Sequence, residues 1–185
     1  MKHVLKPLVA IAAFASVFAS CSKEVEEEEN DNEVITTVQL QFTPVGGGTA
    51  LTYKWEDLDG DGGGTPVVDM ITLAPNKVYN VQLLLLDKTK NPVDTTSNEV
   101  LEEDFDHRFY FEPSAASGII VSNLSADANG APVGLSSTWT TAAAATGTIK
   151  ITLRHYENGG KAVSDLVNST KSSTDAEVTF NTRLQ

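Results

Sequence analysis

Apolar and polar residues alternate along most of this chain with a period of two. In residues 34–42, Val38, Leu40 and Phe42 fall on one face and Gln39 and Gln41 on the other, as in a half-buried β-strand. Residues 67–73 and 78–86 follow, and the second run, VYNVQLLLL, is apolar enough to predict a central strand covered on both faces. TIKITLR at 148–154 alternates without a fault, and 176–184 sets Ala176, Val178, Phe180 and Leu184 on one face. Shorter strands are expected over 49–55, 107–111 and 118–123.

Turn residues separate these runs. Gly46, Gly47 and Gly48 break the first pair and predict a hairpin from about 34 to 55. Pro75-Asn76 divides the third strand from the fourth, and Asn158-Gly159-Gly160 predicts a tight turn after the seventh. One segment departs from the pattern: 94–105, DTTSNEVLEEDF, has Thr96 as a candidate N-cap with Glu99 three residues on. It predicts a short helical crossover. Residues 131–146 carry no clear period and are expected to be a long surface excursion docked by Trp139. The fold class that follows is all-β, a single immunoglobulin-like or related β-sandwich of about eight strands over residues 34–185. Without a cysteine pair, only the architecture of an immunoglobulin domain is implied, not its disulfide.

The most acidic turn is WEDLDGDGGGTP at 55–66. Asp57, Asp59 and Asp61 followed by Gly62 repeat the spacing that opens an EF-hand loop, where alternating acids on a curled backbone aim oxygens at calcium. The twelfth loop position is Val68 rather than Glu, and no helix pattern flanks the loop; Asp69 stands one residue later and could close the shell. A calcium-binding loop on a β scaffold and a solvated hairpin tip both fit. A second acidic run, Glu99 to Asp106, leads into His107, so Glu103, Asp106 and His107 form a possible acidic/His site, with His155 at the end of another strand. The other reading is a solvated helix face ahead of an aromatic core strand.

The N-terminus reads MKHVLKPLVAIAAFASVFASC. Lys2 and Lys6 precede an apolar run, 8–18, that is too short to span a bilayer, and the only cysteine, Cys21, follows Ala19-Ser20. This resembles a bacterial lipoprotein signal with Phe18-Ala19-Ser20-Cys21 as its lipobox, although Phe18 stands where leucine is usual. The resemblance implies that residues 1–20 are removed as a signal peptide and that Cys21 carries more than one acyl chain, enough for stable anchoring. Residues 22–33, SKEVEEEENDNE, hold seven acids and one lysine, a self-repelling acidic tether running with Cys21 over 21–33. The run is similar to acidic export signals of Bacteroidota lipoproteins displayed on the outer face of the outer membrane; a spacer on a periplasm-facing lipoprotein is the alternative.

The formal net charge of −12 becomes −14 without Lys2 and Lys6 (11 basic against 25 acidic residues), which argues against a nucleic-acid partner. No G-x-S-x-G, H-E-x-x-H or P-loop is present, and an enzyme is not expected. The lipid cysteine and tether, DLDGDGGG at 57–64, NKVY at 76–79 and EEDFDH at 102–107 together resemble a small group of Bacteroidota outer-membrane lipoproteins. Such proteins are often labelled as a type 1 periplasmic-binding fold. That two-lobed α/β fold needs long amphipathic helices between its strands, and this sequence has none legible. The resemblance implies a non-catalytic binding or accessory module serving ligand capture or a TonB-dependent import receptor. The alternative is a structural envelope lipoprotein whose acidic loop binds calcium for stability.

Overall fold

In the computed structural model, residues 33–60, 63–157 and 160–185 are described. The period-two alternation is realised as two facing sheets. The six-stranded sheet runs in the order β3 (Val67–Val68), β2 (Leu51–Glu56), β1 (Thr37–Pro44), β5 (Val78–Leu86), β8 (Ser136–Thr141) and β7 (Ile119–Ser122). The four-stranded sheet runs β4 (Ile71–Leu73), β10 (Ser173–Leu184), β9 (Ala145–His155) and β6 (His107–Pro113). The protein is an all-β sandwich, and one short helix, α1 (Ser97–Glu102), crosses between strands. Sheet neighbours are antiparallel except β4 and β10, which run parallel.

The register follows from burying one face. Val38, Leu40 and Phe42 of β1 stand opposite Leu85, Leu83 and Val81 of β5, and all six are buried. Slipping either strand by one residue would turn glutamines into the core and leucines into water. From the other sheet, Ile149, Ile151 and Leu153 of β9 and Val178 and Phe180 of β10 close the core. Trp139 is fully buried, meets Phe42 edge-on at 5.1 Å between centroids, and donates its indole N–H to Ser137 Oγ at 2.9 Å.

The structure departs from the sequence reading at four places. The run 67–73 is two strands, not one. Asp69 N–H donates to Lys54 O and its carboxylate accepts Lys54 N–H, both at 2.9 Å, so β3 stays on the six-stranded sheet while Ile71 and Leu73 turn into the other. Residues 131–146 are not a surface excursion. Ser137, Trp139 and Thr141 alternate inward as β8, a pattern that small polar residues conceal from hydropathy. These two differences account for ten strands where about eight are expected. Third, β5 is central but covered on one face only, because Asn80 and Gln82 are exposed between buried Tyr79, Val81 and Leu83. Fourth, α1 forms where predicted, yet the Thr96 side chain makes no cap hydrogen bond; buried Val100 anchors the helix instead. Of the turn expected at 158–160, Asn158 and Gly159 lie outside the described residues.

Ahead of β8, Gly134 holds a φ of 94°, and an added Cβ would sit 2.9 Å from Phe109 Cβ. Gly134→Ala is expected to cost about 1–3 kcal/mol through that backbone conformation and contact. Trp139→Ala should cost about 3–5 kcal/mol by opening a cavity under both sheets. Urea unfolding followed by tryptophan fluorescence and circular dichroism checks both.

Candidate functional site

Inward-facing stripes of β6 and β9 run out at the same end of the sandwich, and there the apolar residues give way to histidines. Phe109 and Phe111 lead back to His107, and Ile149, Ile151 and Leu153 lead on to His155. His107 and His155 are register partners, and their rings stack at 4.5 Å with 25° between planes. The His107 side chain is wholly buried. Its Nδ1 lies 3.1 Å from the carbonyl of Glu103, which can only accept, so Nδ1 carries a proton and Nε2 is the nitrogen that takes up a second one or, in the neutral ring, presents a lone pair.

Two carboxylates face that nitrogen. Glu33 Oε1 is 2.7 Å from His107 Nε2, and Asp175 Oδ2 is 3.7 Å from it. Asp175 reaches this position through a β-bulge. Thr174 pairs with Arg154 and Ala176 with Leu153, which leaves Asp175 without a partner in the ladder and free to turn inward. Arg154 fixes the start of β10 by donating from Nε to Ser172 Oγ at 3.0 Å and from Nη2 to Ser169 O at 2.9 Å. Glu33 comes from the segment entering β1. One ligand atom from each of Glu33, His107, His155 and Asp175 lies within 4.8 Å of every other, and among the described residues no other such group of three or more His, Cys, Asp or Glu converges.

The site is electrostatically unbalanced. Burial and then the Glu33 charge push the Asp175 carboxyl up to about 7. Burial opposes ionisation of Glu33, but the His107 imidazole beside it holds its carboxyl below the usual range. His107 is pushed down by burial, and the adjacent Glu33 carboxylate more than offsets this and raises it. Despite the close approach of Glu33, His107 Nε2 makes no directed hydrogen bond. Neither Asp175 oxygen nor Glu33 Oε2 finds a hydrogen-bond partner among the described residues.

Asp175 also lines a cleft of about 610 Å³. Val34 and Ile35, Thr174–Val178 of β10, and Trp55 with Asp57–Gly60 line it. Of the predicted calcium loop, Asp57 accepts Gly60 N–H at 3.0 Å, Asp59 accepts Gly64 N–H at 2.7 Å, and Asp69 faces Lys54 of β2. Asp61 lies outside the described residues, as does Cys21. Of the predicted acidic/His site, only His107 belongs to the converging group; Glu103 contributes its main-chain carbonyl and Asp106 accepts Tyr156 N–H through its own. Sequence reasoning placed Glu33 in the tether and missed Asp175. The available signal for Asp175 was an acid next to the first inward residue of β10, Ala176. No protein-family model matches the chain, and comparisons with curated proteins and with solved structures find no match.

A buried ion pair braces the strand carrying His107. Lys161 Nζ lies 3.0 Å from Asp127 Oδ2, with side chains 1% and 2% exposed, and donates to the carbonyls of Asp104 and His107 at 2.5 and 3.0 Å. Burial opposes ionisation of Asp127, but Lys161 and the backbone N–H groups of Ala131 and Asn129 hold its carboxyl below the ordinary 3.8. A lowered carboxyl contributes stability that is complete above the unfolded value and is lost as pH falls through the folded one. Lys161→Met is expected to cost about 3–5 kcal/mol at neutral pH by leaving Asp127 unpaired. The double variant Lys161→Met/Asp127→Leu should recover most of that loss and lose less stability than the parent below pH 3.8. Urea unfolding at neutral pH and at pH 3 (roughly one unit below that value) measures both effects.

Proposed function

We propose that this chain is a non-catalytic binding module, anchored to the outer membrane through lipid on Cys21 and held out by its acidic tether. It would capture a ligand in the cleft beside β10 and serve a TonB-dependent import receptor, from the cell surface in preference to the periplasmic side. The observation that carries the reading is the cleft itself: about 610 Å³, half walled by apolar side chains, with acids at Asp57, Asp59 and Glu177. Among its lining residues no histidine or lysine stands beside a hydroxyl to activate it. The Thr36 hydroxyl is already committed, donating to Leu86 O at 3.0 Å and accepting Lys88 N–H at 2.9 Å. Acids around Trp55 favour a cationic ligand, which the carboxylates attract and the indole face can hold.

A second reading draws on the loop. Asp57 and Asp59 both line the cleft, and the bond from Gly64 N–H holds the Asp59 carboxyl below its ordinary range. A calcium ion there would make the chain a structural envelope lipoprotein without a transported ligand.

Affinity isolation from native membranes is expected to recover an outer-membrane transporter. In thermal shift, polyamines, amino sugars or basic peptides should raise Tm, an effect that Asp57→Asn/Asp59→Asn weakens. If no transporter is recovered and no cationic ligand shifts Tm, the binding role fails. If millimolar calcium raises Tm and deleting the gene alters no uptake, the structural role replaces it.

A further inference from the structure

We propose that Glu33, His107, His155 and Asp175 bind one divalent transition-metal ion of the zinc class, and that this ion clasps the incoming chain to the ends of β6, β9 and β10. The inference does not rest on ligand capture in the cleft.

Three observations converge on it. The first is the donor set. Two imidazole nitrogens and two carboxylate oxygens, each within 4.8 Å of the others, suit zinc and its neighbours, whereas calcium and magnesium prefer oxygen throughout. Tetrahedral binding at about 2.0–2.2 Å spaces donor atoms roughly 3.3–3.6 Å apart, which requires the farther donors to draw in and the Glu33–His107 pair, now at 2.7 Å, to part slightly.

The second is the outer support of His107. Its Nδ1–H is held by the Glu103 carbonyl at 3.1 Å, the partner that a metal-bound histidine characteristically has on its far nitrogen. The nitrogen left over is the one facing both carboxylates.

The third is what remains unpaired. The side chain of Asp175 is 0% exposed and that of Glu33 7%, yet both oxygens of Asp175, Oε2 of Glu33 and Nε2 of His107 find no hydrogen-bond partner among the described residues. Buried acceptors in that condition are costly, and a cation satisfies all of them at once. Two carboxylates and two neutral imidazoles around a doubly charged ion sum to zero charge, which a buried site tolerates. With four protein ligands the shell is closed, as in a structural rather than a catalytic centre.

Glu33 gives the ion its consequence. It is the last residue of the acidic run 22–33, while the other three ligands belong to the four-stranded sheet. Binding therefore pins the point where tether becomes domain.

The full-length chain, stripped with a chelator and reloaded with zinc chloride, is expected to hold one zinc per chain and to melt at a higher temperature. Millimolar calcium should not reproduce that rise. Cobalt(II) in its place should give the intense visible absorption of a four-coordinate ion. His155→Gln and Asp175→Asn, checked for folding by circular dichroism, should each weaken zinc binding by at least about tenfold. Zinc should slow proteolysis on the N-terminal side of Val34 in the parent chain but not in Glu33→Gln. Substoichiometric zinc, a weak six-coordinate cobalt spectrum, or unchanged affinity in either folded variant overturns the site. Cleavage at an unchanged rate with zinc bound overturns the clasp.

Discussion

Taking carboxylates out of water is the constraint on which the histidine-bearing end of this sandwich turns. Most of the interior meets the ordinary requirement that one face of each sheet be apolar, and its scattered polar atoms are largely met locally, as the Trp139 indole N–H is by Ser137. Where the inward stripes of β6 and β9 reach their ends, the stripe continues in position but changes in chemistry. His107 and His155 occupy places that geometry reserves for core residues, and Asp175 and Glu33 are drawn in beside them. Each buried charge then has to be met by an opposite one. The same rule operates beside it, where the Lys161 side chain is buried and is met by Asp127 and two carbonyls. One cluster is satisfied within the chain. The other leaves both Asp175 oxygens and Glu33 Oε2 without a hydrogen-bond partner among the described residues.

The two halves of the site are mechanically joined. Asp175 stands both in the converging group and in the wall of the cleft, and the bulge that places it there also sets the direction of Ala176 and Glu177 along the same wall. Whatever fixes Asp175 fixes one side of the cleft. The segment 34–36, which also lines the cleft, follows directly from Glu33. The converging group and the cleft are thus adjacent along the chain at two places, Glu33–Val34 and Asp175–Ala176.

Legibility in the sequence divided along physical lines. Alternation announced the strands whose inward residues are large and apolar, such as Val38, Leu40 and Phe42 in β1, and the hairpin from β1 to β2 follows from its glycines. It failed for β8, because Ser137 and Thr141 do the packing of apolar residues while reading as loop, and only Trp139 signals a core. It also fused β3 with β4, since a chain can pass from one sheet to another in two residues without disturbing hydropathy. For the site, His107 was legible as an acid-flanked histidine, but its carboxylate neighbours come from 74 residues before it (107 − 33) and 68 after it (175 − 107). Such partners are set by register and by a bulge. Neither is written locally.

The outer strands of both sheets have a consequence for how copies of this protein coexist. β3 is two residues long, β4 three and β7 four, and the longer β6 already gives its Phe109 N–H to the carbonyl of Val133 at 2.7 Å. An arriving strand from a neighbouring molecule would find too few unpaired backbone groups to prolong either ladder. Crowding many such sandwiches onto a small area therefore carries little risk of their zipping into fibres, even though Val67 and Val68 lie bare on the rim.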